Sequence, residues 1–186
     1  MVQKLDFITP TFVQVLDLFM ADPMQEHHER EVMRMAGVSK GSANRILHQL
    51  LERGFLTAQR KGRMIFYKLD LKSPTARQFK ILSNVYSLKE LLERLESYSR
   101  KIILFGSCAQ GTDVKESDVD LMVLTDQKDA VRKEINRSNS KEKRRVAPII
   151  VDANELAKMK REDDALYENI ERGIVLWEIE NNERQV

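Results

Sequence analysis

The stretch from Gly106 to Leu121 constrains this chain more than any other. An apolar run, Ile102-Ile103-Leu104-Phe105, leads into Gly106-Ser107-Cys108-Ala109-Gln110-Gly111, and a short polar loop follows. Asp118-Val119-Asp120 then opens a second apolar run, Leu121-Met122-Val123-Leu124. Short apolar runs bounded by turn residues read as buried strands. Gly106 lacks a Cβ, so the backbone can turn tightly there and approach another group closely. Ser107 falls at a strand-to-helix turn, where free backbone N–H groups favour an anion. Residues i and i+2 of a strand share a face, so Asp118 and Asp120 are expected to project together, their Cα atoms about 6–7 Å apart.

Two carboxylates on one face suit a hard divalent cation such as Mg²⁺, which takes oxygen ligands and keeps waters and phosphates around it. A phosphate-sized turn facing such a pair suits metal-assisted transfer of a nucleotidyl group. The G-S-x-A-x-G turn and S-D-x-D-L strand resemble those of the nucleotidyltransferase family related to DNA polymerase beta, particularly its minimal members. The resemblance spans roughly Ser99 to Glu178 and includes, more weakly, Glu171-Arg172-Gly173-Ile174-Val175-Leu176-Trp177-Glu178 as a closing strand. It implies Asp118 and Asp120 as catalytic and metal-binding residues, Gly106 and Ser107 at the nucleotide, Mg²⁺ (or Mn²⁺) as cofactor and a nucleoside triphosphate as substrate or ligand.

The family uses a third carboxylate early in a later strand. The corresponding strand is Val146-Ala147-Pro148-Ile149-Ile150-Val151, and the position falls at or near Ala147, which can neither bind a metal nor act as a base. Asp152-Ala153-Asn154-Glu155 reads as a helix capping box. Pro148 lacks an N–H and marks an edge strand or a bulge. Asp113 and Glu116, in the loop before the pair, are the acids that could substitute for the third carboxylate, with solvated loop residues as the default reading. Cys108 has no base partner in view and reads as a small helix-start residue.

The first seventy residues pattern differently. A first helix runs through Phe12 to Met20 with Pro10 near its start, and a second spans Glu29 to Ala36. Ser39 caps a third, Lys40 to Arg53, closed by Gly54. Ala36-Gly37-Val38-Ser39 reads as the turn of a helix-turn-helix. Phe55–Ala58 and Met64–Leu69 read as strands of a hairpin whose tip, Gln59-Arg60-Lys61-Gly62-Arg63, is basic. Across about Thr11 to Asp70 this arrangement resembles the winged helix-turn-helix of prokaryotic transcriptional regulators. The resemblance implies double-stranded DNA as partner. Ser39, Lys40, Ser42, Asn44, Arg45 and His48 would lie on the exposed face of the recognition helix, with Arg60, Lys61 and Arg63 on the wing. Recognition helices present such residues to base edges while basic groups hold phosphates. His27-His28 beside Glu26 and Glu29 reads as a polar loop or helix start rather than a metal site.

Pro74 to about Tyr98 is expected to be one helical stretch. Phe79, Ile81, Leu82, Val85, Leu88, Leu91, Leu92 and Leu95 recur at spacings of three and four. This stripe must bury itself on the winged helix, on the transferase sheet or on a second copy. The expected organisation is α/β (α+β): residues 1–72 a winged helix-turn-helix, 73–98 a linker and dimerisation helix, and 99–186 a nucleotidyltransferase-fold mixed sheet with flanking helices. The basic run Lys141 to Arg145 could help hold a polyphosphate or be a solvated loop, and the loop is the preferred reading.

Composition sets the class. With 186 residues, 42% apolar and 32% charged, the chain reads as globular, with one domain or two small ones. A charge of +2 makes any nucleic-acid surface local. The single cysteine and the lack of a signal-type N-terminus fit a cytoplasmic protein, and no apolar run is long enough for a membrane span. Two functional readings follow. In one, the protein transfers NMP from NTP to an unidentified acceptor, which by resemblance to minimal family members includes a toxin-type partner protein. In the other, a transcriptional regulator uses a degenerate transferase domain to sense nucleotide or a partner without catalysis. A homodimer is expected in either.

Overall fold

The computed structural model describes residues 5–142 and 144–179, and the chain divides into two compact units, residues 1–80 and 81–186. In the first unit, α1 (Pro10–Ala21), α2 (Glu29–Ala36) and α3 (Lys40–Glu52) pack with a three-stranded antiparallel sheet of β1 (His27–His28), β2 (Leu56–Lys61) and β3 (Met64–Leu69) in the order β1-β3-β2. Thr9 caps α1 through its hydroxyl, with Pro10 in the first turn, where its missing N–H does no harm. Gly37 closes α2 at φ 62, a left-handed conformation that a side chain would strain. Phe12, Val15, Leu16, Phe19, Val32, Ile46, Leu47, Leu50 and Phe55 form the core.

Two local expectations change here. Strand β1 was invisible in the sequence: His27 is buried and pairs with Tyr67, while His28 caps α2 through its ring nitrogen. The wing is also longer-stranded than expected. Pairing runs through Gln59↔Phe66, Arg60↔Ile65 and Lys61↔Met64, so the tip is only Gly62-Arg63, and Arg60 and Lys61 lie in β2. Two-residue loops match the twist of the flanking strands, which is why pairing extends this far.

The stretch 74–98 is not one helix. α4 (Pro74–Ser87) ends before Leu88 (φ −87, ψ −5), which lies in neither helix, and α5 (Lys89–Leu95) runs on into a 3₁₀ turn, Glu96–Tyr98. The redirection places Leu88, Leu91 and Leu95 together in the core of the second unit, with Val85 and Leu92 beside them. Phe79 and Ala76 belong to the core of the first. Of the stripe, Leu82 stays exposed.

The second unit is built on a four-stranded sheet, ordered β6-β5-β4-β7, from β4 (Lys101–Phe105), β5 (Val119–Leu124), β6 (Val146–Val151) and β7 (Ile174–Glu178). β5 is antiparallel to β4 and parallel to β6, with α7 (Lys128–Asn139) in the crossover, and β7 lies antiparallel on the far side of β4. Alternation separates two faces. Ile102, Leu104, Leu121 and Val123 pack with α5 and with Val131 and Ile135 of α7. Ile103, Phe105 and Met122 pack with Ile170 of α9 (Asp164–Glu171) and with Leu156 and Met159 of α8 (Ala153–Glu162). β6 is an edge strand, which accommodates Pro148 without loss of an interior ladder bond. Among the described residues, no helix is long and apolar enough to cross a membrane.

Candidate functional site

The turn after β4 and the start of β5 are adjacent because these strands are antiparallel neighbours, with Phe105 opposite Asp120. The chain leaves β4 at Phe105 and enters a five-residue helix, α6 (Gly106–Gln110), at once. Gly106 makes this possible at φ 67. A Cβ built there would collide with Asp120 Oδ2 and stand 3.3 Å from Asp120 Cγ. The Asp120 carboxylate therefore lies directly against the backbone of the turn, in space that any other residue at 106 would fill.

Asp120 is half-buried and Asp118 exposed. β5 begins at Val119, so Asp118 is the last residue of the preceding loop rather than a strand residue. Burial pushes the Asp120 carboxyl above its ordinary value, and the like charge of Asp118 adds to the effect. Two mutually repelling carboxylates of this kind are the electrostatic complement of a divalent cation. Ser107, partly exposed in the first turn of α6, stands next to Gly106.

The place of a third carboxylate is equally well defined. Ala147 of β6 is the register partner of Asp120. Asp152 lies beyond the opposite end of that strand pair, where Leu124 meets Val151. Five residues at about 3.3 Å each put it roughly 16 Å from Ala147. There it accepts the N–H groups of Asn154 and Glu155, Glu155 reciprocates to the Asp152 N–H, and Lys128 Nζ lies 2.8 Å from Asp152 Oδ2. Glu116 is exposed in the loop. Asp113 is not a solvated loop acid: it is 1% exposed and paired with Arg144 at 2.6 Å. Among the described residues, no group of three or more His, Cys, Asp and Glu side chains could hold a metal ion. Two carboxylates nonetheless suffice for Mg²⁺ when phosphate oxygens and water complete the shell, so Asp118 and Asp120 fit a cation brought with a nucleotide.

Beneath the site is a polar cluster that the sequence did not announce. Arg144 donates to the Ser117 carbonyl (3.0 Å), Asn84 Oδ1 (3.1 Å), Cys108 Sγ (3.1 Å) and Asp113 Oδ2 (2.6 Å). Asn84 Nδ2 donates to the Cys108 carbonyl and to Asp113 Oδ1. Arg144 was expected in a solvated basic loop; it is instead anchored inward, while Lys143 lies outside the described residues. Cys108 is fully buried, and desolvation pushes its thiol up to about 11, so it is a protonated packing residue and no nucleophile. Its S–H donates to the Asp118 carbonyl at 3.3 Å. One sequence signal was available: Asn84 interrupts the apolar stripe of α4, and a polar group on a buried face must find partners.

In the first unit, Ser39 caps α3 and its hydroxyl also bonds Ser42. Asn44 donates to Glu29 Oε2 at 2.8 Å. Arg60 Nε reaches the Gly62 carbonyl across the tip. Lys61 pairs with Glu26 and lies over the Phe66 ring. Lys40, Arg45, His48 and Arg63 are exposed, and among the described residues none of them enters an ion pair.

A family model described as "Nucleotidyltransferase domain" matches residues 85–176, and one described as "IclR helix-turn-helix domain" matches residues 13–60. The chain carries a nucleotidyltransferase domain behind an IclR-type helix-turn-helix. No curated protein matches it. Among solved structures, it is similar to a candidate nucleotidyltransferase from Sulfolobus solfataricus, at 16% identity over 60% of this chain and 96% of that one (TM-score 0.40). It is similar to Sso10a-2, a DNA-binding protein from the same organism, at 22% identity over 47% of this chain and 96% of that one (TM-score 0.32). A mutant of the toxin–antitoxin MntA-HpeT overlaps at 21% identity over 52% of this chain and 74% of that one (TM-score 0.37). In the terms of these domains, the Gly106 turn and the Asp pair lie within the transferase match, and α2, α3 and most of β2 within the helix-turn-helix match.

Proposed function

We propose that the transferase domain binds a nucleoside triphosphate with Mg²⁺ or Mn²⁺ and transfers its nucleoside monophosphate to an acceptor hydroxyl, while the helix-turn-helix binds double-stranded DNA. The observation that supports the first part is the placement of the Asp120 carboxylate against the Gly106 turn, beside Ser107. Asp118 and Asp120 hold the cation. Gly106 lets the Asp120 carboxylate lie against the turn, and Ser107 offers a hydroxyl and N–H to the phosphates. In the transfer, the acceptor hydroxyl gives up its proton to water as its oxygen bonds to the α-phosphorus, the bond to the bridging oxygen breaks, and pyrophosphate leaves with that electron pair. The cation supplies neutralisation of the charge on the reacting phosphates.

Ala147 opposite Asp120 supports a second reading, in which the domain binds nucleotide or a partner and the chain regulates transcription without catalysis. Incubation with labelled NTP and Mg²⁺ separates the two. Pyrophosphate release that disappears in Asp118→Ala and Asp120→Ala supports the enzyme; tight binding without release supports the sensor. Activity persisting in both variants contradicts the assignment of the site.

The DNA reading rests on the helix-turn-helix match and on exposed Lys40, Arg45 and Arg63 flanking the recognition helix and wing. We read the protein as cytoplasmic on the same ground. A mobility shift that weakens steeply with salt supports it. A toxin-type protein as acceptor follows only from the resemblance to minimal transferases. A homodimer would use a surface other than most of the α4–α5 stripe, since Leu82 and Tyr86 are the large apolar side chains these helices leave exposed. A monomeric mass by light scattering at micromolar protein rejects it.

A further inference from the structure

We propose that Arg144 is a positioning residue of the Asp118–Asp120 site, fixing the backbone that carries Asp118, so that its loss weakens metal-dependent nucleotide binding. This rests on the metal–nucleotide reading above. The two carboxylates are held by different means. Asp120 sits inside β5, paired to Phe105 on one side and Ala147 on the other, so the sheet fixes it. Asp118 precedes the strand and is exposed, and among the described residues no ladder pair includes it. Its anchors are the Val119 N–H bond to the Arg145 carbonyl (2.8 Å), the Cys108 thiol on the Asp118 carbonyl (3.3 Å) and Arg144 on the neighbouring Ser117 carbonyl (3.0 Å).

Arg144 joins the rest of the loop to this anchor. Its guanidinium reaches Ser117, Cys108 and buried Asp113 at once, and Asn84 of α4 closes the cluster from the other side through Arg144, Asp113 and the Cys108 carbonyl. A planar fork of five donors satisfies several acceptors in fixed directions, which a lysine ammonium cannot copy. The Val114 N–H bond to Ser117 Oγ and the Ser117 N–H bond to the Val114 carbonyl complete a tight turn between Asp113 and Asp118. A site that must bring two carboxylates to one cation needs its supporting groups locked, and here the exposed member of the pair is locked from below.

The test uses the full chain and three variants, Arg144→Met, Arg144→Lys and Asn84→Ala, each first checked for cooperative melting. Mn²⁺ is titrated alone and with non-hydrolysable analogues of the four nucleoside triphosphates, with water-proton relaxation as the readout. Amide exchange is followed over residues 112–118 and 121–124. Arg144→Met is expected to weaken Mn²⁺–nucleotide binding at least tenfold and to speed exchange over 112–118 while 121–124 stays protected. Arg144→Lys is expected to recover part of the affinity, and Asn84→Ala to show a smaller effect of the same sign. If Arg144→Met fails to fold, the other two variants decide. Wild-type affinity and unchanged loop exchange in the folded variants overturn the proposal alone. Failure of the wild type to bind any Mn²⁺–nucleotide overturns the parent reading, and this proposal with it.

Discussion

The parallel pair β5–β6 carries acids at both ends, and the two ends behave oppositely. At one end lie Asp118 and Asp120, and burial, with the like charge of Asp118, raises the Asp120 carboxyl. At the other, Asp152 and Glu155 are stabilised as anions, chiefly by Lys128, and both carboxyls fall below their ordinary values. The first end has an excess of negative charge; at the second, one lysine and the helix cap offset the charge of the two acids. Acidity alone does not mark a site. What marks it is charge that, among the described residues, has no ion-pair partner, beside a backbone turn whose missing Cβ lets a carboxylate lie against it.

Exchanging single residues at each end is the strongest way to break this comparison. Asp118→Asn or Asp120→Asn is expected to reduce nucleotidyl transfer by roughly a thousandfold, the loss of several kcal/mol of charge stabilisation, whereas Asp152→Asn leaves transfer unchanged and lowers the melting temperature. Equal losses at both ends, measured as pyrophosphate release, would erase the distinction. A gain is the next test. Ala147→Asp places a carboxylate at the register partner of Asp120 and is expected to raise transfer about tenfold or more if charge neutralisation limits it. The same substitution adds a third like charge and lowers the stability of the metal-free protein. An unaltered rate together with unaltered stability would show that residue 147 does not face the pair.

Gly106→Ala sharpens the comparison from the backbone side. Its left-handed conformation costs an L-residue about 1–2 kcal/mol, and the new methyl group displaces the Asp120 carboxylate. Binding of a metal–nucleotide is expected to fall further than this stability loss accounts for, read from calorimetry and melting of the same sample. The pH dependence is subtler and opposite in sign at the two ends. The lowered carboxyls of Asp152 and Glu155 give stability that is present above their unfolded values and lost as pH falls through the folded ones. The raised Asp120 carboxyl gives stability present below its unfolded value and lost as pH rises through the folded one. Lys128→Met should therefore blunt the acid-side loss in a melting series from pH 2 to 6. In the DNA-binding unit, Arg45→Ala or Arg63→Ala should each reduce the salt slope by about one if it contacts a phosphate. Lys61→Ala should do less, because Lys61 already pairs with Glu26.

Much of the transferase site was legible because its signals are local. A glycine, a serine and two aspartates at fixed spacing between two apolar runs carry the turn and the strand pair, though Asp118 falls just outside the strand, and Ala147 could be located by the apolar strand that holds it. The capping box of Asp152 was legible for the same reason. Arg144 was not, because its meaning depends on Asn84, sixty residues earlier, meeting Cys108, Asp113 and Ser117 in one place. The kink at Leu88 was hidden too: spacings of three and four persist through it, since the redirected helix keeps burying leucines. In the first unit, the helices and wing followed from caps and periodicity. Strand β1, two residues long, had no period to read.

Calorimetric titration of the wild type, Asp120→Asn and Asp152→Asn with each Mg²⁺-bound non-hydrolysable triphosphate decides whether the Asp118–Asp120 end of the sheet holds a metal–nucleotide. Saturable binding by the wild type and Asp152→Asn, lost in Asp120→Asn, is the predicted result. Undiminished affinity in Asp120→Asn, or loss confined to Asp152→Asn, would contradict it.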